Sequence, residues 1–348
     1  MKHRFLVSLV MLAGVGGLAP NLVAAGQAPA ATATSAAATK MNASPTATRR
    51  TAWGDPDLQG VWTNHHQVPL QRPDQFAGRE LLTDEEAAAL EKQAAANRDR
   101  PPAKGQVGAY NAFWSERLQR SRRTSQIVDP PDGKLPPLTH AWKIVVEDAI
   151  KRRSVGQSYA DRDPFERCIT RGMPGTMMPG FYNHIYQILQ TPEYVVIHTE
   201  MIHDARIIPL DKRPHLPSSV QQWMGDSRGH WEGGTLVVET TNFNGGMTNA
   251  YQFSYGVGQG ARITERFTAT DVNTIDYKYT VDDPARSTKP WTAVSPLEKF
   301  DEGFFEYACH EGNNYSTENS LAGVRAKQKS PEVVAREIQE HTRSLQTR

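Results

Sequence analysis

The chain has 348 residues, 38% hydrophobic and 22% charged, with 39 basic against 38 acidic side chains. That balance excludes a disordered, fibrous or coiled-coil protein, and the absence of a long basic stripe argues against nucleic acid as a partner. Only two cysteines are present, which excludes a disulfide-dense scaffold, an iron–sulfur ferredoxin and a four-cysteine zinc site.

The N-terminus reads as an export signal. Lys2, His3 and Arg4 precede a short apolar run, Phe5 to Leu18, and Val23-Ala24-Ala25 supplies small residues for cleavage. Residues 1–25 are therefore expected to be a signal peptide, and 26–50 an Ala/Thr/Ser/Pro-rich disordered linker. Loss of Lys2 and Arg4 leaves 37 basic against 38 acidic residues, and no membrane span is expected after cleavage. The expected location is periplasmic or secreted. In an oxidising compartment Cys168 and Cys309 are candidates for one disulfide, with two free thiols as the alternative.

Residues 51–348 read as a single β-rich domain. A turn at Trp53 to Gly60 enters a short strand, and Thr83 to Arg98 is a predicted helix with Thr83 and Glu86 as a capping box. Thr139 to Arg153 is a second, with an apolar face of Trp142, Val145, Val146, Ala149 and Ile150. Together with irregular stretches these make a helical N-terminal part, 51–155. The strand-rich core, 180–312, holds predicted strands at Phe181–Gln190, Tyr194–Ile202, Ala205–Leu210, Thr235–Phe243, Ala261–Thr270, Thr274–Val281, Trp291–Val294 and Phe304–His310. Ser330 and Pro331 open a closing helix over 331–345. Consecutive strands without a βαβ pattern predict an α+β, mainly β protein. The expected form is an antiparallel lipocalin-like barrel or strongly curved sheet with peripheral helices, able to enclose one small ligand. A β-sandwich is the alternative.

The chemistry-bearing residues are those that interrupt apolar strands. Glu200, His203, Asp204 and Arg206 fall within seven positions. His203 could act as a general base oriented by Asp204, with Arg206 holding Asp204 or an anion; a polar turn stitched by ion pairs is the other reading. Glu265 shares a strand face with Ile263 and Phe267. It is thus either an acid in an apolar wall or the partner of an inward arginine. His310 is a further candidate for steadying developing charge. Tyr182, Asn183, Tyr186 and Glu200 are candidate substrate contacts, with Trp223, Asp226 and Arg228 at a pocket rim. Gly225-Asp226-Ser227-Arg228-Gly229 matches G-x-S-x-G but lacks the strand–turn–helix context of a nucleophile elbow. His65-His66, His203-Asp204, His215 and His310-Glu311 have no recognised metal-ligand spacing, and no phosphate loop or dinucleotide fingerprint is present. Neither a metal nor an organic cofactor is expected.

Several blocks resemble a family of secreted bacterial proteins, mostly uncharacterised. They include Pro56 to Trp62, Glu200 to Pro209, Trp223 to Gly229, Thr235 to Phe243 and Glu306 to Asn313. The resemblance runs from about residue 53 to 326 and implies a single secreted module. It further implies relatives that cleave lignin-type aryl ethers without a cofactor. The expected function is acid/base chemistry on a small aromatic or apolar substrate, as a hydrolase or lyase. The alternatives are a lipocalin-like binder of a hydrophobic ligand, and an envelope protein that engages a partner through its N-terminal third.

Overall fold

Alternating burial builds the sheet. In the computed structural model, which describes residues 49–66, 68–98, 121–180, 182–246, 256–326 and part of 332–343, Thr274–Asp282 is the clearest strand. Ile275, Tyr277, Tyr279 and Val281 are fully buried on one face, while Asp276, Lys278 and Asp282 are exposed on the other. Its hairpin partner Arg262–Ala269 turns Ile263, Glu265 and Phe267 inward, as the sequence predicts.

In chain order the strands are β1 (Gly60–Thr63), β2 (Ile127–Asp129), β3 (Ile185–Gln190), β4 (Tyr194–Thr199), β5 (Ala205–Pro209), β6 (Asp226–Glu232) and β7 (Thr235–Thr241). They continue as β8 (Arg262–Ala269), β9 (Thr274–Asp282), β10 (Trp291–Val294) and β11 (Leu297–Lys299). The main path is β5-β4-β3-β1-β11-β9-β8-β7-β6, antiparallel throughout, with β10 bridging β9 to β2. One continuous path curling into a nearly closed barrel replaces the sandwich alternative.

The helices sit on the periphery. They are α1 (Asp84–Arg98), α2 (His140–Val155) and α3 (Asn313–Ala326). The capping box forms as predicted: the Glu86 carboxylate accepts from the Thr83 backbone N–H at 2.8 Å, and Thr83 Oγ1 accepts from the Glu86 N–H at 3.2 Å. Thr139 caps α2 through the Trp142 N–H, and Trp142 and Val146 are its buried residues.

Three expectations are corrected. Phe304–His310 is not a strand; it is an irregular segment with Phe305 exposed. β6, in the stretch read as a pocket rim, was not among the predicted strands, and α3 was not foreseen. The predicted signal peptide lies outside the described residues, as do nearly all of the predicted linker and part of the predicted closing helix.

The ends of the path, β5 and β6, share no ladder among the described residues. They pack through side chains. A Cβ at Gly229 would lie 2.8 Å from both Ile208 and Leu210, so β5 approaches β6 over a position with no side chain. The β6–β7 turn is Gly233-Gly234, with Gly233 at φ 59°, which a two-residue primed hairpin turn accommodates. Phe267, Tyr277, Tyr279 and Trp291 run as a chain of ring contacts with centroids 4.7, 5.5 and 5.7 Å apart. These rings, with Tyr186, occupy the interior where a lipocalin-like protein would keep a ligand.

Cys168 and Cys309 form the expected disulfide across 141 residues of chain. Opening it should lower stability by roughly 5 kcal/mol, because the crosslink restricts the unfolded chain more as the loop lengthens. Urea unfolding with and without reductant tests this. The expected result is a lower midpoint for the reduced protein, and the same loss in Cys168→Ser/Cys309→Ser without reductant.

Candidate functional site

The ladder registers bring one set of strand ends together. Thr63 of β1 faces Ile185 of β3, Tyr186 faces Thr199 of β4, and His198 faces Ala205 of β5. The C-terminal ends of β1 and β4 and the N-terminal ends of β3 and β5 therefore form one mouth of the barrel. Residues 168–178 cross it, with Cys168, Thr170, Arg171, Met173, Met177 and Met178 buried. Asn64 Nδ2 donates to the Met177 carbonyl at 2.8 Å, and the Tyr186 hydroxyl to the Thr176 carbonyl at 3.3 Å. Thr170 Oγ1 donates to Asp204 at 2.6 Å.

Beneath this cover lies a layer of buried histidines. The Val68 N–H donates to His66 Nδ1 at 3.3 Å, so the His66 proton sits on Nε2 and is donated to Ser295 Oγ at 3.0 Å. Burial, and then the neighbouring His65, push His66 down to about 4. His184 is held well below the usual imidazole range, first by burial and then by Arg171, whose Nη1 lies 3.2 Å from His184 Nε2. Burial lowers Arg171 itself, whose guanidinium also sits over the Phe165 ring. These imidazoles are neutral at pH 7.

Above the cover the backbone is strained. Among the described residues, six non-glycine positions have positive φ, and four of them gather at this corner: Cys168, Asn183, Ile202 and His203. Ile202 and His203 are consecutive, at φ 62° and 48°, and a β-branched residue rarely adopts that conformation. Asn183 Nδ2 donates to the buried Glu200 carboxylate at 3.0 Å, and the Glu200 N–H to the Ile185 carbonyl at 2.9 Å. His203 is exposed. Its Nδ1 is 3.3 Å from the Tyr307 carbonyl. A carbonyl only accepts, so Nδ1 carries the proton and the Nε2 lone pair is left open. The ring of exposed His310 lies 5.9 Å from that of His203, and the disulfide ties the 307–310 segment to the corner. His198 packs on Phe304 at 4.8 Å, and burial followed by His203 lowers its pKa.

The structure redistributes the predicted residues. His203 and His310 come together, but Asp204 does not orient His203: its carboxylate bonds Thr170, and burial raises its pKa. Glu265 takes the paired alternative. Arg206 donates to both of its oxygens, at 3.0 and 2.5 Å, and Tyr277 donates to Oε1 at 2.9 Å. Tyr186 is a core residue bonded to Asn64. Tyr182, Asn183 and Glu200 belong to the strained corner. Among the described residues no hydrogen bond or ring contact joins Trp223, Asp226 or Arg228 to the histidine pair. Asp226 accepts from Arg228 at 2.6 Å and from His215 Nδ1 at 2.8 Å, so this group clamps the loop after β5. Ser227 is an interior strand residue bonded to Thr240, with no helix behind it. Sequence reasoning missed Arg171 and His184 as site-forming residues. The polar run Asn64-His65-His66 directly after β1 is the signal that could have exposed the buried layer. Among the described residues no group of three or more His, Cys, Asp or Glu side chains could hold a metal ion.

Comparisons with family models, curated proteins and solved structures find no match. The family resemblance thus rests on the sequence blocks alone.

Two outcomes follow from the buried charges. Glu265→Leu should cost about 3–5 kcal/mol, because it strands the Arg206 guanidinium, while Arg206→Met/Glu265→Leu should recover most of that. Urea midpoints of the single and double variants check it. His66 binds its proton less tightly folded than unfolded. Stability should therefore fall as pH drops from 6.5 to 4, by about 3 kcal/mol for this group. Asp163, raised to about 6 by burial and then Glu166, works in the opposite direction. The decisive measurement is the flatter pH dependence of His66→Asn relative to wild type.

Proposed function

We propose that the protein is an exported, cofactor-independent acid/base enzyme acting on a small aromatic substrate at the His203–His310 corner. The observation that carries this reading is the fixed tautomer of His203. Its Nδ1–H is engaged by the Tyr307 carbonyl, and its Nε2 lone pair is exposed beside a second exposed imidazole. Two neighbouring imidazoles can take and give a proton in one cycle. In hydrolysis His203 Nε2 takes the proton from water as the water oxygen attacks carbon. In elimination it takes the proton from carbon. In both, the carbon–oxygen bond of the ether breaks and protonated His310 returns a proton to the leaving oxygen. Phe304 and Tyr307 border the pair and offer apolar contact to an aromatic group. Strain concentrated at Ile202 and His203 supports the same location.

Export is supported by the disulfide and the N-terminal sequence. No helix among the described residues is long and apolar enough to cross a membrane. The lipocalin-like binding alternative draws less support, because aromatic rings and the Arg206–Glu265 pair fill the barrel interior. Buried His66 and His184 support the fold of the mouth; they are only 6% and 3% exposed.

The test is incubation with a panel of aryl ethers and aryl esters, followed by mass spectrometry of products. His203→Ala and His310→Ala should each lower kcat by about 10²–10⁴-fold, with unchanged unfolding midpoints. Full turnover in both variants would remove the assignment. A panel left intact, with a ligand recovered unmodified from the purified protein, would favour binding over catalysis.

A further inference from the structure

A second concentration of charge lies at the C-terminal end of α2. A cleft of about 210 Å³ is lined by Arg152, Arg153, Arg162, Arg167, Asp161 and Asp163, together with smaller residues. The four guanidiniums are not equally compensated. Arg152 pairs with Asp148 at 2.9 Å on the surface of the helix. Arg153 is engaged by both Glu166 oxygens, at 2.5 and 2.7 Å, and by Asp163 at 3.3 Å. The Asp161 carboxylate accepts from the Ser158 N–H at 2.8 Å as part of a capping box.

Arg162 and Arg167 have no carboxylate within ion-pairing distance among the described residues. Arg162 is 3% exposed, yet among the described residues its guanidinium makes only long hydrogen bonds, 3.4 Å to the Arg153 carbonyl and 3.5 Å to the Ser320 carbonyl. Its Nε–H is buried with no acceptor, and so is that of Arg167. Arg167 otherwise only overlies the Tyr159 ring at 5.8 Å. A buried guanidinium without a counter-ion is costly, and a buried N–H without an acceptor adds to that cost. Planar N–H forks of this kind match the oxygens of phosphate, sulfate and carboxylate groups. Desolvation and Glu166 raise the Asp163 carboxyl to about 6, so its charge on the cleft wall weakens as the pH falls below that.

We propose that this cleft binds a small oxyanion, inorganic or the anionic head of a small organic molecule, held by the forks of Arg162 and Arg167. The site is independent of the chemistry assigned to the histidine pair. Isothermal titration of the full chain with sodium phosphate, sodium sulfate and sodium benzoate at low ionic strength tests it. The three arms separate tetrahedral from planar head groups. At least one should bind 1:1 with Kd below about 1 mM. Arg162→Gln and Arg167→Gln should each weaken that binding by about tenfold or more, whereas Arg152→Gln should change it by less than about twofold. Should Arg162→Gln fail to fold, Arg167→Gln decides the question, since its guanidinium is only half-buried. No saturable binding of any of the three at about 10 mM, or binding that survives the arginine substitutions, overturns the proposal.

Discussion

The Arg206–Glu265 pair crosses the seam of the barrel. Arg206 stands on β5, which has no hydrogen-bonded neighbour on its β6 side among the described residues. Its guanidinium reaches over β6 and β7, 3.4 Å from both Ser227 and Thr240, to grip Glu265 on β8. Taking two charges out of water is expensive, and the attraction between them offsets that only if the remaining polar atoms are satisfied. Here Glu265 accepts three hydrogen bonds, the third from Tyr277, while the Arg206 Nε–H is buried with no acceptor among the described residues. Ladder registry normally fixes how two strands lie against each other. At this seam a side-chain pair and the bare backbone of Gly229 perform that task, so the curvature of the other strands depends on them.

Closing the barrel at this seam carries the N-terminal end of β5 to the mouth, beside the segment 168–178. This is why the strained turn at Ile202-His203 and the buried layer of Arg171 and His184 share one corner. The disulfide adds a third constraint, fixing the irregular 307–310 segment against the same corner. A loop held only by its own contacts would not keep Ile202 and His203 in left-handed conformations; surrounding structure must over-determine them.

Much of this was legible in the sequence, and the failures have physical causes. The alternation in β9 and the inward side of β8 could be read directly, because every inward residue but Glu265 is apolar or aromatic. That Glu265 needed an inward arginine was an open alternative; that the arginine is Arg206, 59 residues away, depends on closure and leaves no local pattern. β6 escaped because its inward positions include Ser227 and Gly229, which mimic a loop, and Gly225 and Gly233-Gly234 flank it. Phe304–His310 deceived in the opposite direction. Its alternation suits a strand, but β11 already fills the ladder between β1 and β9, and the disulfide draws the segment aside. The pairing of Cys168 with Cys309 was legible by elimination, since no other cysteines exist.

Burial also sorts the histidines by what each can do. His66 and His184 lie under the mouth cover, and desolvation keeps them neutral across the physiological range. A base of that kind binds a proton too weakly to serve well in catalysis at pH 7. His203 and His310 lie outside the same cover, in water, a few residues from positions that are fully enclosed. The fold therefore separates two uses of one side chain across a single layer of backbone. Inside, a neutral imidazole completes hydrogen bonds that a buried polar mouth requires. Outside, a backbone carbonyl fixes the tautomer of His203 and leaves its Nε2 without a partner among the described residues. The reactivity proposed for the corner rests on this difference in solvation, because the residue type on the two sides is the same.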